Sequence, residues 1–171
     1  MSTAVSENAG LTVECVGPIV AATALVFATM LGCTPTRTGL AVKWQTTPTY
    51  ELSAIVNLSG QAAGTIVLGI SERAAWGALH RMIDEITLEI TDEVRDAVGE
   101  LAAMIGGQTK LKLKDLALTI SIPRITRGRN QHIPFPADVR PICIRYDSEI
   151  GPFAVDFTLT RAIQTNVSSE P

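Results

Sequence analysis

Hydrophobic residues recur along this chain with the spacing of helices and strands. After Pro18, apolar side chains return every three or four positions and stop at Gly32, which predicts a first helix. Apolar and polar positions then alternate up to Trp44, so residues 38–46 are predicted to form a strand.

The clearest local pattern is a β-hairpin. Residues 52–58 and 65–70 alternate on either side of Ser59-Gly60-Gln61, a sequence typical of a turn. Gly64, close to the turn, suggests a β-bulge.

Two helices are predicted after the hairpin. Ser71 is a suitable N-cap for a helix over residues 72–86, and Thr91 is a suitable N-cap for a helix over residues 91–105 that ends at Gly106-Gly107. The first of these helices is predicted to bury Ala75, Leu79, Met82 and Ile83.

The C-terminal part has strand composition in three segments, residues 116–122, 140–146 and 153–159, separated by turn-rich residues 122–138 and 147–152. The order is helix, three strands, two helices and three strands. This grouping predicts an α+β fold with a mainly antiparallel sheet, an N-terminal helix and a central helix pair.

The size and composition of the chain fit one folded domain. It has 171 residues, of which 46% are hydrophobic and 18% charged. We expect a single domain over residues 12–162, between flexible ends at residues 1–11 and 163–171. A disulfide framework or a zinc knuckle is not expected and a reducing compartment is favoured, because no CxxC pair occurs among the cysteines Cys15, Cys33 and Cys143.

The longest uncharged run, residues 16–36, could be a membrane span or a secretion signal. Glycine, proline and threonine interrupt it, whereas a spanning helix needs about 20 predominantly apolar residues. Glu7 and Glu14 precede it and no Lys or Arg occurs before Arg37, unlike a signal peptide. We interpret the run as a buried helix of a cytoplasmic protein that has no membrane partner.

The formal net charge of −3 hides two opposed segments. Residues 84–100 contain seven acids and one base, a net charge of −6, and residues 110–145 contain eight bases and two acids, a net charge of +6. Solvated helix and strand surfaces are one explanation, and a binding surface is the other. Nucleic acid is not an expected partner, because no aromatic residue is interleaved with the bases from Lys110 to Arg129.

The predicted helix over residues 91–105 has two distinct sides. Its apolar stripe consists of Val94, Val98, Leu101 and Ile105. The opposite stripe consists of Glu93, Asp96, Glu100 and Ala103. Acids in the first turn complement the helix dipole, but Glu100 lies too far along the helix for that role.

The segment from Asp96 to Lys110 resembles the signature helix of the CheX/CheC family of chemotaxis phosphatases. In that family an acid is followed by Gly-Glu-x-x-Asn-Met-Ile-x-Gly and then by a lysine. Gly99-Glu100 and Met104-Ile105 fit the pattern here. Residues 16–32, 55–70 and 120–128 are similar to the family's first helix, its glycine-punctuated hairpin and its strand-Pro turn, so the resemblance covers about residues 12–162.

The resemblance implies a CheC-like fold and a reaction on a partner protein, the removal of phosphate from the phospho-aspartate of a CheY-like receiver. It implies that Glu93, Asp96, Glu100 and Ala103 face the receiver. Glu100 would take the place of the glutamate that pairs with a receiver lysine, while the family's asparagine holds a water molecule in line with the acyl phosphate. The chain itself would bind no cofactor and no metal, since the receiver supplies the Mg²⁺.

The chain departs from the family at the asparagine position, which is Ala103. A methyl group cannot orient water, and the loss of a positioned polar group typically costs roughly 10²-fold or more in rate. We therefore expect receiver binding with weak or absent phosphatase activity. The alternatives are a fully active phosphatase that uses Glu100 and a substitute polar group, and a non-catalytic structural module like the flagellar switch domains.

Other candidate groups are weaker. His80 is interpreted as a surface or core-edge histidine, and neither Gln108 nor Asn130 is an obvious substitute for the missing asparagine. His132 is interpreted as part of a solvated turn, and a basic anion-binding loop is the alternative. Relatives of the CheX type form dimers through sheet edges, so a homodimer is also expected.

Overall fold

The computed structural model describes residues 9–162 and confirms the α+β fold with an antiparallel sheet. The elements in chain order are helix α1 (Val16–Leu31), strands β1 (Thr36–Val42), β2 (Leu52–Ser59) and β3 (Ala62–Ile70), helices α2 (Glu72–Ile83) and α3 (Asp92–Lys112), a 3₁₀ turn (Lys114–Leu116), and strands β4 (Thr119–Ile120), β5 (Arg124–Arg127), β6 (Ile142–Asp147) and β7 (Phe153–Arg161). The predicted flexible ends lie mostly outside the described residues.

Within residues 9–162, seven strands form one sheet in the order β1-β6-β7-β3-β2-β4, and β5 also pairs with β2. Every pairing is antiparallel. The hairpin of β2 and β3 is therefore central, β1 forms one edge, and the short strands β4 and β5 share the other edge.

Helices α1, α2 and α3 cover one face of the sheet and form the main core with it. The rings of Phe27 and Phe153 stack at a centroid distance of 4.2 Å, and Tyr146 stacks on the same Phe153 ring at 4.8 Å. This three-ring stack fixes α1 over strands β6 and β7, since aromatic stacking adds to the stabilisation from burial.

The apolar segment Ala9–Leu31 is long and apolar enough to cross a membrane by length and composition alone. In the fold its inward side is buried, and 44% of its most apolar window lies inside the protein. The buried side chains include Ile19, Val26 and Phe27. The segment therefore contributes to the core, as the sequence predicts.

The other face of the sheet is covered by the connections around residues 43–50 and 128–141. A small apolar cluster there consists of Ile55, Val67 and Ile133, with Phe135 packed against it. Lys43 forms an ion pair with the buried Asp156 of β7, and Ile133 donates its backbone N–H to the carbonyl of Thr46 at 2.9 Å. These contacts hold both connections on the sheet.

The hairpin is confirmed, but the bulge at Gly64 is wrong. Leu58 pairs with Gly64 in an unbroken register. An added Cβ at Gly64 would lie 2.0 Å from the carbonyl oxygen of Thr158 on the neighbouring strand. The glycine is required by this close backbone approach of β7 and not by an irregular turn.

Both central helices begin at the predicted caps and end elsewhere. Helix α2 ends at Ile83 and not at residue 86, because Asp84 adopts a left-handed conformation, and Ile83 is exposed and not buried. Helix α3 continues through Gly106-Gly107 to Lys112. A Cβ at position 106 would lie 3.3 Å from Val56, so packing on the sheet explains the glycine there.

Two predicted strands also need correction, and one observed strand was not predicted. Strand β1 spans Thr36–Val42 and not residues 38–46, and Trp44 beyond it is 72% exposed under Arg140, outside the core. The predicted strand over 116–122 shrinks to the two residues of β4, and β5 lies inside the segment expected to be turns. Pairing with β2, which is distant in sequence, selects these short strands.

We predict that Gly64→Ala destabilises the fold by about 2 kcal/mol or more, because the methyl group would overlap the Thr158 carbonyl in a packed sheet. Urea unfolding measures the loss. Gly17→Ala is the matched control, since an added Cβ in this exposed turn of α1 meets nothing within 4 Å. Equal stability of the two variants would contradict the close approach of β3 and β7.

Candidate functional site

Helix α3 begins where the sequence predicts and presents a wide apolar side to the fold. Thr91 is its N-cap, and the Thr91 hydroxyl accepts a hydrogen bond from the backbone N–H of Val94 at 3.3 Å. The buried residues include all four of the predicted stripe and recur through Thr109, so the helix is anchored along its length: Val94, Ala97, Val98, Gly99, Leu101, Ala102, Ile105, Gly106 and Thr109. The opposite side is thereby turned outward.

The outward side carries a row of carboxylates, here named the acidic ridge and defined by Glu93, Asp96 and Glu100. All three residues are exposed, and Ala103, one turn beyond Glu100, is half-buried. Among the ion pairs within residues 9–162, none involves a residue of the acidic ridge. Asp96 and Glu100 therefore offer unneutralised charge to the solvent.

Glu93 differs from the other two members of the ridge because it is tied to the helix start. Its carboxylate accepts hydrogen bonds from its own backbone N–H and from the Thr91 hydroxyl, and these bonds lower the pKa of Glu93. Glu93 thus has a capping role that is independent of any partner.

A shallow groove runs along one side of the acidic ridge, toward the short strands at the sheet edge. Its floor and far wall are apolar, whereas its near wall is charged. The lining residues are Arg95, Asp96, Gly99, Glu100, Ala103, Ile122, Pro123 and Ile125. Helix and strand can come this close because position 99 is glycine, where an added Cβ would lie 3.2 Å from the Cδ1 atom of Ile125.

A second groove runs along the other side of the ridge, toward helix α2. Leu79, Met82 and Ile83 form its far wall. Asp96 and Glu100 line both grooves, so the two carboxylates lie between two apolar surfaces. The sequence predicted the acidic ridge but not the two apolar grooves beside it. For the groove at the sheet edge, the strand-Pro segment 120–128 was a signal in the sequence that could have indicated it.

Ala103 has no polar substitute in the groove. Apart from Arg95, the polar side chains that line it are those of the ridge residues Asp96 and Glu100. Gln108 is half-buried and lies five residues beyond Ala103 on α3. On a helix of 3.6 residues per turn, this spacing places the two side chains about 140° apart around the helix axis. Asn130 is exposed in the connection after β5 and does not line the groove.

The basic segment is partly neutralised within the fold. Arg127 pairs with Glu72 at 2.7 Å, and Arg129 pairs with Glu51 at 3.1 Å. Arg140 lies over the Trp44 ring at 4.6 Å from its centroid. These arginines hold the connections of the sheet, as the structural explanation of the positive charge requires.

The remaining reactive side chains are structural. All three cysteines are free and buried, and burial raises the pKa of Cys15 to about 11 and that of Cys143 to about 12, which disfavours the thiolate. His80 and His132 are exposed, as predicted, and His132 hydrogen-bonds Thr46 at 2.8 Å. No group of three His, Cys, Asp or Glu residues in the described part of the chain is arranged to hold a metal ion.

Known proteins share both the sequence pattern and the fold. The family model of the chemotaxis phosphatase CheX matches residues 52–147. A chemotaxis protein CheX from Desulfovibrio desulfuricans is 28% identical with a TM-score of 0.76, over 85% of this chain and 99% of that chain. A CheC-like superfamily protein from Shewanella is 23% identical with a TM-score of 0.77, over 86% of this chain and 97% of that chain.

A further solved structure contains a relative together with a partner. It is the CheX-CheY-BeF3-Mg²⁺ complex from Borrelia burgdorferi, 18% identical with a TM-score of 0.70, over 85% of this chain and 97% of that chain. At this identity, as for the Shewanella protein, the likeness is one of fold. No curated protein matches the chain.

We predict that Glu93→Gln destabilises the protein at neutral pH and that the difference from wild type shrinks in acid. Because the pKa of Glu93 is lowered in the fold, its contribution is present above the ordinary value of 4.5 and is lost as the pH falls through the lowered pKa. Urea unfolding of both proteins from pH 7 to pH 2.5 measures this. In a Thr91→Ala background the pH-dependent difference should be smaller, and a difference that did not vary with pH would contradict the assignment.

Proposed function

Because the chain belongs to the CheX family of chemotaxis phosphatases, we propose that it binds a phosphorylated CheY-like receiver through the acidic ridge and that its phosphatase activity is weak or absent. One observation carries the proposal. Glu100 is exposed at the end of the ridge and has no ion-pair partner among the described residues. Ala103 lies one turn further along the same side, where the resemblance implies the family's asparagine.

Glu100 is suited to contact a cation of the partner. Its neighbours on the ridge are acids, and it has no ion-pair partner in the described part of the chain. Because Glu100 lies on a helix, an ion pair with a lysine requires ordering of the two side chains but not of the backbone that carries Glu100. Charge complementarity of this kind speeds encounter and fixes the orientation of two proteins.

Hydrolysis of the receiver's acyl phosphate needs a water molecule aimed at phosphorus. The water forms a new P–O bond, the bond between phosphorus and the aspartyl oxygen breaks, and inorganic phosphate leaves. An amide can hold that water because it both donates and accepts hydrogen bonds in a fixed plane. The methyl group of Ala103 does neither. The protein would therefore still bind the receiver but would no longer accelerate hydrolysis of its acyl phosphate. The Mg²⁺ of the reaction belongs to the receiver.

The two alternatives, an active phosphatase and a non-catalytic structural module, differ in whether they need a polar group near position 103. An active phosphatase would need another polar group beside Glu100, and the only such group in the groove outside the ridge residues is Arg95, among the residues that the structure describes. A structural module like the flagellar switch domains would need neither group, and Ala103 favours it over the active enzyme. The predicted homodimer remains a prediction, with the outer edge of β1 as the available sheet edge.

We predict that the wild-type protein binds at least one CheY-like receiver of its organism when beryllofluoride and Mg²⁺ hold that receiver in the conformation of its phosphorylated form. Glu100→Gln should weaken the Kd at least about tenfold. The charge-matched control is Asp115→Asn, an exposed acid in the 3₁₀ turn beyond α3. Fluorescence anisotropy measures the Kd. The proposal fails when no receiver binds, or when the two variants behave alike.

We predict further that Ala103→Asn accelerates release of phosphate from the phosphorylated receiver by about 10²-fold or more over wild type, because it restores the amide that positions water. Adding Glu100→Gln to this variant should abolish the gain. The measurement is phosphate release at micromolar protein. A fast wild type that Ala103→Asn leaves unchanged would favour the active-phosphatase alternative.

A further inference from the structure

Two exposed isoleucines lie on opposite sides of the acidic ridge. Ile122, in the turn between β4 and β5, is 90% exposed and lines the groove that Ala103 shares with Glu100. Ile83, the last residue of α2, is 59% exposed and lines the groove on the other side of Glu100. The carboxylate of Glu100 thus lies between apolar side chains that the fold does not bury.

The backbone holds both isoleucines in place. Before Ile122, the backbone N–H of Ser121 donates to the Asn57 carbonyl at 2.9 Å, and the Ser121 hydroxyl accepts from the Asn57 N–H at 3.0 Å. After Ile83, Asp84 closes the helix by donating its N–H to the His80 carbonyl at 2.8 Å. Because the backbone is already fixed, a partner that covers these side chains orders only their rotamers and not the chain that carries them.

We propose that Ile83 and Ile122 are the apolar contacts of the receiver interface, covered when a cation of the phosphorylated receiver reaches Glu100. This inference rests on the proposed function and specifies the partner surface, which must present a cation between two apolar areas. The net charge of −6 over residues 84–100 requires the cation, and the isoleucines require the apolar areas.

The two isoleucines have a second effect on the interface, since they exclude water from its centre. Attraction between unit charges grows as the local dielectric falls, so an ion pair at Glu100 is stronger once apolar groups cover its surroundings. Contacts that exclude water around a central hot spot act in this way. The contributions of Glu100 and of the isoleucines to the Kd should therefore depend on one another.

The test uses the same beryllofluoride-loaded receiver that wild type binds. We expect the double variant Ile83→Ser/Ile122→Ser to weaken the Kd about tenfold or more, and Ile122→Val to bind like wild type. In the double-serine background, Glu100→Gln should weaken the Kd by a smaller factor than it does in wild type. Ile86→Ser is the matched control, because Ile86 is 81% exposed and lines neither of the two grooves.

The outcomes separate the two proposals. If Glu100→Gln weakens binding and the double-serine variant does not, the isoleucine contacts are refuted and the ridge stands. If the effects of Glu100→Gln and of the two serine substitutions on the binding free energy simply add, the proposal that the isoleucines strengthen the Glu100 ion pair by excluding water is refuted. If wild type binds no receiver, the proposed function itself fails. Unfolding midpoints within error of wild type are required of every variant, as the high exposure of Ile122 leads us to expect.

Discussion

The packing of α3 on the sheet is the constraint on which the candidate site depends. Two glycines seven residues apart, Gly99 and Gly106, fall two turns apart on the same side of the helix. A Cβ at these positions would lie 3.2 Å from Ile125 and 3.3 Å from Val56. Side chains there would force these neighbours to shift by a few tenths of an ångström, so the glycines allow the close approach of helix and sheet. The buried stripe sets the rotation of the helix and leaves Glu100 on the outward side.

The same packing creates the surroundings of Glu100. Since α3 approaches β5 closely, the turn that precedes β5 brings Ile122 and Pro123 beside Ala103. An alanine in this groove completes an apolar surface, whereas an asparagine would make it polar. In the proposed function, Glu100 attracts the partner and the group at position 103 would activate water. Affinity and chemistry would then depend on different atoms one helical turn apart, and they could be lost separately.

Much of the fold could be predicted from the sequence, because local signals determine it. Ser71 and Thr91 cap their helices as predicted, and the period of α3 separates the buried stripe from the ridge. The errors have long-range causes. Gly64 and Gly106 looked like a bulge and a helix end, but both permit contacts with segments distant in sequence. The strand β5 forms through pairing with β2, and the two grooves arise only when distant elements meet.

The two charged segments have net charges of equal size, but their charged side chains are paired within the chain to different extents. Arg127 and Arg129 form partly exposed ion pairs with Glu72 and Glu51, so part of the positive charge is neutralised by the chain itself. The acidic ridge has no such partners among the described residues. Like charges on one helix face repel one another, which opposes folding unless something outside the chain neutralises them. The acidic ridge is therefore a surface on which a partner of opposite charge gains by binding.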